Sequence, residues 1–375
     1  MRFIHTSDWH LGKSLKGQSL LDDQAHILNE LLRMLDDQRA DALIIAGDIY
    51  DRSVPPADAV ELFNEMILSV VERGITILSV AGNHDSAKRL NFGSQLFERS
   101  KFFLRTLVSA DDDPIVLNDE HGKIYFSLLP YFEPSQIRNA FGIDDNITFD
   151  DAGKIFIDHA RSKIPDGARS IAIGHAFITG GERSDSETQN VGGADNVNAA
   201  HFDGYNYVAL GHLHKHQCMS SNVIRYSGSP LKYSFDEWRH RKGALSVEIG
   251  ADGRAALEFL PLTPKHDLLV IEGMIEDVLT RTPTTDYVAV RLLNREQVLN
   301  ARAKLEELFP NLLAIEKVNF LRETSTGGEL KRAEGASVLD QFKDFFEYQT
   351  GDRLDSDQEA ALIDCLRSMR EEEER

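Results

Sequence analysis

Five short apolar runs, each ending in a cluster of carboxylate, amide or imidazole side chains, limit what this chain can fold into. The first, Arg2-Phe3-Ile4-His5-Thr6-Ser7, opens into Asp8-Trp9-His10. Its large and β-branched residues read as a strand. On an extended backbone Asp8 and His10, two residues apart, emerge on the same side and can reach one metal ion. A single D-x-H also caps turns, so recurrence has to decide. Residues 42–46 end at Gly47-Asp48, residues 75–80 at Gly82-Asn83-His84-Asp85, residues 170–173 at Gly174-His175, and residues 205–210 at Gly211-His212-Leu213-His214.

Amphipathic segments separate the early runs. Leu28, Leu31, Leu32 and Leu35 form one helical stripe. Val60, Phe63, Ile67 and Val70 form the inner face of another, with Pro55 and Pro56 at its start and Gly74 past its end, as helix termini favour. Continuous apolar strands alternating with such helices predict a layered α/β fold whose sheet is covered on both faces. Ligands in such sheets gather at the carboxyl ends of the strands, where Asp8, Asp48 and Asn83 all fall. Further strands are expected over residues 123–129, 223–226 and 244–249, and a helix over 151–161. The polar loop from Thr179 to about Asn196 is long enough to mark function or mobility.

The pattern changes at Pro261 and Pro264. Strands near 267–271, 287–293 and 312–318, with helices near 274–280 and 296–308, predict a small βαβαβ unit with no polar cluster. Beyond Gly328, Val338, Phe342, Phe345 and Phe346 make one apolar stripe, and Ala361, Leu362, Cys365 and Leu366 another. These read equally as a partner-docking surface or as packing against the small unit. Three units are expected: residues 1–262, 263–325 and 326–375.

The net charge of −20 excludes a general nucleic-acid coat protein. It leaves room for a nuclease whose local basic rim and site metals hold phosphates. The two cysteines, Cys218 and Cys365, stand in no metal spacing. No apolar run approaches the length of a membrane span, and the N-terminus lacks a signal pattern. The expectation is a soluble, cytoplasmic protein without a membrane partner.

Asp8, His10, Asp48, Asn83, His175, His212 and His214 offer oxygen and imidazole donors without a thiolate, a set suited to Mn²⁺, Fe²⁺ or Zn²⁺. They are too many for one ion and about right for two, with Asp48, central in the order of clusters, as the bridging carboxylate. His84, next to Asn83, is expected to face substrate and to protonate or stabilise a leaving oxygen, with Asp85 orienting its ring. No activated serine or thiol and no P-loop stands out. Metal-assisted phosphoester hydrolysis fits this inventory best. Lys13, Lys16, Arg52, Lys88, Arg89 and Lys232, with Arg239, Arg241 and Lys242, are expected to form a salt-sensitive phosphate track, although each alone also reads as a solvated charge.

D-x-H, G-D, G-N-H-D, G-H and G-H-x-H in this order resemble the calcineurin-like metallophosphoesterase superfamily. Within it the chain is similar to the SbcD nucleases, through Thr6-Ser7-Asp8-Trp9-His10-Leu11-Gly12, Ala46-Gly47-Asp48-Ile49-Tyr50-Asp51-Arg52, Ala81-Gly82-Asn83-His84-Asp85-Ser86, Tyr207-Val208-Ala209-Leu210-Gly211-His212-Leu213-His214 and Tyr226-Ser227-Gly228-Ser229-Pro230-Leu231. The resemblance implies a two-sheet sandwich flanked by helices, a small α/β DNA-capping domain and a helical tail that docks an ATPase. It implies one metal on Asp8, His10, Asp48 and His214, a second on Asp48, Asn83, His175 and His212, and His84 assisting without ligating. It also implies two Mn²⁺ ions, 3′–5′ exonuclease action on duplex DNA, endonuclease action on hairpins and single strands, a homodimer, and an SbcC-type coiled-coil ATPase partner in DNA repair, recombination and replication. A protein phosphatase is the nearest rival, since Gly47-Asp48-Ile49-Tyr50-Asp51-Arg52 matches its G-D-x-x-D-R. Ser53 in place of glycine and Asp85 in place of glutamate speak against it. A cyclic-nucleotide phosphodiesterase would not need the C-terminal extension, and an inert scaffold would not need a full ligand set.

Overall fold

The apolar runs do form strands, but two sheets share them. The computed structural model describes residues 1–187, 195–294, 296–317, 339–340, 342–343, 346 and 353–373. In the first sheet Ala255–Pro261, Gly243–Ile249, Arg2–Thr6, Ala42–Ala46, Thr76–Val80 and Phe102–Arg105 lie side by side in that order. The last four run parallel, and Gly243–Ile249 pairs antiparallel with Arg2–Thr6. The second sheet runs Gln217–Cys218, Ile224–Tyr226, Tyr207–Gly211, Arg169–His175, Gly122–Leu129 and Ile115–Asp119.

Alternating side chains explain why the strands are apolar throughout. Ile4, Leu43, Ile45 and Ile77 face outward to Leu28, Leu31 and Leu35 of helix Leu21–Gln38 and to Phe63, Met66 and Val70 of helix Ala57–Glu72. Phe3, Ile44, Leu78 and Val80 face inward to Phe126, Ile171, Ile173 and Tyr207 of the second sheet. The far face of that sheet packs Ala172, Val208 and Leu210 against Phe149, Phe156 and Ile157 of helix Phe149–Ser162. The result is a helix–sheet–sheet–helix sandwich.

Beneath the strand ends the sheets touch directly. A side chain at Gly211 would place its Cβ 1.8 Å from the carbonyl oxygen of Ala46, so only glycine fits. His5 pins the same layer. Its Nε2–H donates to the carbonyl of Leu210 (3.1 Å) and its Nδ1 accepts from the Tyr207 hydroxyl (2.9 Å). Burial pushes the His5 pKa down to about 3, so the ring is neutral.

At the opposite edge Asp119 receives both terminal nitrogens of Arg169, at 2.6 and 2.9 Å, and the Met1 ammonium at 2.8 Å. Arg169 in particular holds the Asp119 carboxyl well below the usual carboxylate range. The stability from a depressed carboxyl is complete above the unfolded pKa of about 4 and is lost as pH falls toward the native value. Asp119→Asn should therefore cost about 2 kcal/mol at pH 7, and the difference should shrink on acidification below about pH 4. Denaturant unfolding at the two pH values measures this, and an equal deficit at both would show that charge plays no part.

A third, three-stranded parallel sheet joins Leu268–Gly273, Tyr287–Leu292 and Leu312–Lys317 around Ile275, Val278, Val290, Leu305 and Phe309. It meets the sandwich through Leu20, Ile27, Leu231, Leu262, Leu268 and Tyr287. Buried Asp23 ties the joint by accepting from the Tyr287 hydroxyl (2.7 Å) and the His266 backbone (3.1 Å).

Several expectations need correction. Val60 is exposed, and the inner face of its helix is Ala59, Phe63, Met66 and Val70, one step around the helical wheel. The helix expected over 296–308 shortens to Ala301–Glu306, because Asn300 takes a left-handed conformation before it (φ 55°). Strands Phe102–Arg105, Ile115–Asp119 and Ala255–Pro261 lie beyond the expected set. Ile115–Asp119 and Ala255–Pro261 are sheet edges with alternating exposure, so their apolar runs are broken. In the tail, Val338 and Phe345 lie outside the described residues. Helix Ser356–Glu373 leaves Ala361 and Cys365 exposed and Leu362 and Leu366 half-buried. Among the described residues no helix is long and apolar enough to cross a membrane.

Candidate metal centre

The strand ends of both sheets meet at one place. Asp8, His10 and Asp48 come from the first sheet, Asn83 from the turn after Thr76–Val80, and His175, His212 and His214 from the second. Four of these residues have left-handed backbones that side chains rarely adopt: Asp8 (φ 53°), His10 (φ 45°), Asp48 (φ 48°) and His212 (φ 107°). Such conformations cost of order 1–3 kcal/mol each and persist where surroundings impose them. Backbone bonds do so here, from Asp8 N to Gly47 O (3.0 Å), His10 N to Asp48 O (3.0 Å) and Leu11 N to Ile49 O (2.9 Å). Side chains complete the frame, with Asp8 Oδ1 accepting from His212 N and Asp48 Oδ1 from His84 N, both at 2.9 Å. Gly47 is also required, since a Cβ there would lie 2.2 Å from His175 Nδ1.

Within this frame the ligand atoms of Asp8, His10 and His214 lie within 4.8 Å of one another, as do those of Asp8, Asp48 and His175, and of His10, Asp48 and His84. Asp48 Oδ2 sits 3.6 Å from His10 Nε2 and 3.4 Å from His175 Nε2, between the two groups. Asn83 Oδ1 lies 2.9 Å from His175 Nε2 and 3.0 Å from His212 Nδ1.

The donor chemistry calls for a cation. His175 Nδ1 is 2.9 Å from the carbonyl of Ala46, which can only accept, so that nitrogen carries the proton. Its Nε2 lone pair then faces two oxygens, Asn83 Oδ1 and Asp48 Oδ2. Acceptors facing acceptors need either a further proton or a metal between them. Burial opposes charging of His175, but Asp48 and Asp8 outweigh it and draw its pKa up to about 9. Burial also opposes ionisation of Asp48, and the imidazoles of His175, His10 and His84 reverse this, holding its carboxyl well below the usual range. His10 Nδ1 and His212 Nε2 are buried with no hydrogen-bond partner among the described residues. His10 Nε2 and His214 Nε2 face each other at 3.0 Å. Buried, hard-to-intermediate oxygen and nitrogen donors around orphaned imidazole nitrogens fit divalent metal ions.

His84 stands beside this cluster, its ring 4.8 Å from that of His10. The carbonyl of Asp51 receives its Nδ1 at 3.0 Å. Asp85 does not orient the ring as expected. Its buried carboxyl accepts from the backbone N–H groups of Gly82 (2.9 Å), Tyr50 (3.0 Å) and Ile49 (3.2 Å), stapling two ligand-bearing loops together. Burial, reinforced by nearby Asp48, pushes its pKa up to about 7.

The expected basic track divides. Lys16, Arg52, Lys88, Arg89, Arg239 and Arg241 line the surface, half-buried to exposed. Lys13 is paired with Asp51 at 2.7 Å. Lys232 is held by Asp267 (2.7 Å) and the Trp238 carbonyl (2.8 Å), so it ties the small sheet to the sandwich. Lys242 is buried on Glu237, Ser229 and the His214 carbonyl, and is a structural cation. Sequence reading missed Gln24, whose amide donates to the carbonyls of His10 (2.7 Å) and Trp9 (3.1 Å), and Tyr233, whose hydroxyl donates to Trp9 O. It also missed Ser186, Glu187 and Glu237 around His214. Only the polarity of the 179–196 loop gave any sign of the first two.

Comparison with known proteins agrees with this geometry. Residues 1–216 match the calcineurin-like phosphoesterase family, and residues 264–350 match a family described as the type 5 capsule protein repressor C-terminal domain. The SbcD subunit of the SbcCD nuclease from Staphylococcus epidermidis is 35% identical over 349 residues, covering 91% of this chain and 92% of the relative. Its namesake from Staphylococcus saprophyticus is 32% identical over 381 residues, covering 99% of each. With strand-end donors, a paired-sheet sandwich and near full-length similarity in agreement, this chain belongs to the calcineurin-like phosphoesterases and, within them, to the family of the SbcD nucleases.

Proposed function

We propose that this protein is a Mn²⁺-dependent DNA nuclease that hydrolyses phosphodiesters with two metal ions. The observation that carries the reading is the set of acceptor atoms turned toward one another at the strand ends, with Asp48 between His10 and His175. Asp8, His10, Asp48 and His214 would hold one ion, and Asp48, Asn83, His175 and His212 the other. Two such ions supply positive charge to polarise the phosphodiester and make water nucleophilic near neutral pH. His84, oriented through Nδ1 by the Asp51 carbonyl, presents its other nitrogen to the departing oxygen. Asp85 keeps the loops of Asp48 and Asn83 in register, and Arg52, Lys88 and Arg89 offer surface cations to the DNA backbone.

The finer assignments are 3′–5′ exonuclease action on duplex ends and endonuclease action on hairpins and single strands. The names of the relatives support an ATPase as partner, with residues 326–375 docking it and residues 263–325 capping the DNA. Apolar side chains left open near the site, Phe92 (87% exposed) and Leu96 (65%), with Val60 and Leu68 on helix Ala57–Glu72, support a homodimer.

The test is cleavage of end-labelled duplex and hairpin DNA by the purified protein with Mn²⁺, with a chelator control and a chromogenic phosphodiester in parallel. Metal-dependent shortening of DNA is expected, with a rate that falls steeply as salt rises. Hydrolysis of the small ester alone, with DNA intact even when the ATPase is added, would favour a cyclic-nucleotide or other small-molecule phosphodiesterase.

A further inference from the structure

We propose that Ser186 and Glu237 are positioning residues that fix the ring tautomer of His214 and so present its Nε2 to a divalent cation. The inference rests on the two-metal reading above and adds two residues that ligate nothing.

Glu237 is fully buried and is ion-paired through Oε2 with Lys242. Its Oε1 takes donors from Ser234 Oγ (2.9 Å), Tyr233 N (3.3 Å) and Ser186 Oγ (2.5 Å). A carboxylate facing an ammonium and a backbone N–H has no proton to give, so the Ser186 hydroxyl must donate to it. With its one proton committed, Ser186 Oγ can only accept from its other neighbour, His214 Nδ1, at 2.7 Å. The proton on His214 therefore sits on Nδ1, and Nε2 keeps the lone pair beside His10 Nε2. The backbone of His214 is held by the same two segments. Its N–H donates to Glu187 Oε1 (2.7 Å), and its carbonyl accepts from Lys242 (2.8 Å). Partners of this kind around a metal-binding histidine set its tautomer and orientation, and losing one typically costs 10- to 100-fold in metal affinity. This gives the described part of the 179–196 loop a role, since Ser184 to Glu187 form one side of the clamp.

Glu237→Gln tests the direction of the relay. Lys242 only donates, so the new amide must turn its oxygen toward that ammonium and its NH₂ toward Ser186. The hydroxyl then accepts from the amide and donates to His214 Nδ1, moving the ring proton to Nε2. Removing the lysine as well, in Glu237→Gln/Lys242→Met, frees the amide to turn its oxygen back to Ser186. Calorimetric titration with Mn²⁺ alone, beside nitrogen-15 spectra of the histidine rings in metal-free protein, reads both consequences.

The wild type should bind two ions and hold His214 as the Nδ1–H form. Glu237→Gln should keep one ion, bind the other about 10- to 100-fold more weakly and show the Nε2–H form. The double variant should recover the second ion and the original tautomer. Unchanged binding in Glu237→Gln overturns the inference. So does joint loss of both ions that the double variant fails to repair, which would mark Glu237 as a folding residue only. A wild type that binds no Mn²⁺ would instead defeat the two-metal reading from which the inference starts.

Discussion

Asp48→Asn should remove both metal ions and lower phosphodiester cleavage by about 10³-fold, the largest effect expected of any single substitution here. The carboxylate lies 3.6 Å from His10 Nε2 and 3.4 Å from His175 Nε2, so it serves both halves of the cluster at once. Asparagine is a conservative probe of this. It tolerates the left-handed backbone of position 48 (φ 48°), and its amide oxygen can still accept from His84 N. The negative charge is lost, while His10, His175 and His84 remain around it. Metal interactions in such sites are worth several kcal/mol, and each 1.36 kcal/mol is tenfold in rate. Mn²⁺ titration and DNA cleavage measure the outcome, and thermal melting of the metal-free protein separates it from unfolding. Two ions still bound at wild-type affinity would remove Asp48 from the bridging position.

Much of this site is legible in the chain, for a physical reason. Strands buried on both faces appear as unbroken apolar runs, and their ends must return to polar residues, so Asp8, Asp48, Asn83, His175 and His212 stand out by position alone. What covers each face is not legible. Phe3 meets a second sheet and Ile4 meets helices, yet both are simply large and apolar in the sequence. Asp85 reads as the partner of an imidazole because side chains are visible in sequence and backbone N–H groups are not. Its actual partners are Ile49, Tyr50 and Gly82, identified by loop geometry alone. Lys232 and Lys242 look like surface cations for the same reason, since their anionic partners Asp267 and Glu237 carry no periodic signal. The left-handed turns at Asp8, His10 and Asp48 are also hidden, because they follow from contacts between distant loops and not from local propensity.

His84→Gln should lower DNA cleavage by about 10²- to 10⁴-fold while leaving both metal ions bound. The imidazole is placed for proton transfer and not for ligation, since the Asp51 carbonyl fixes Nδ1 and the ring packs edge-on to His10. Glutamine retains a hydrogen-bonding group of similar reach but cannot deliver a proton at neutral pH. The deficit should therefore depend on what departs. A deoxyribose oxygen is a poor leaving group and needs protonation, whereas an activated aryl oxide, such as that of a chromogenic phosphodiester, leaves as an anion. The variant should be strongly impaired on DNA and only slightly on the activated ester, with the same Mn²⁺ stoichiometry as the wild type. Equal impairment on both substrates would mean that His84 stabilises the pentavalent phosphorus and not the leaving group. Loss of an ion would make it a ligand, which its place within 4.8 Å of the His10 and Asp48 donor atoms permits geometrically. Leaving-group dependence separates the roles because only proton donation becomes dispensable when the departing oxygen is already a stable anion.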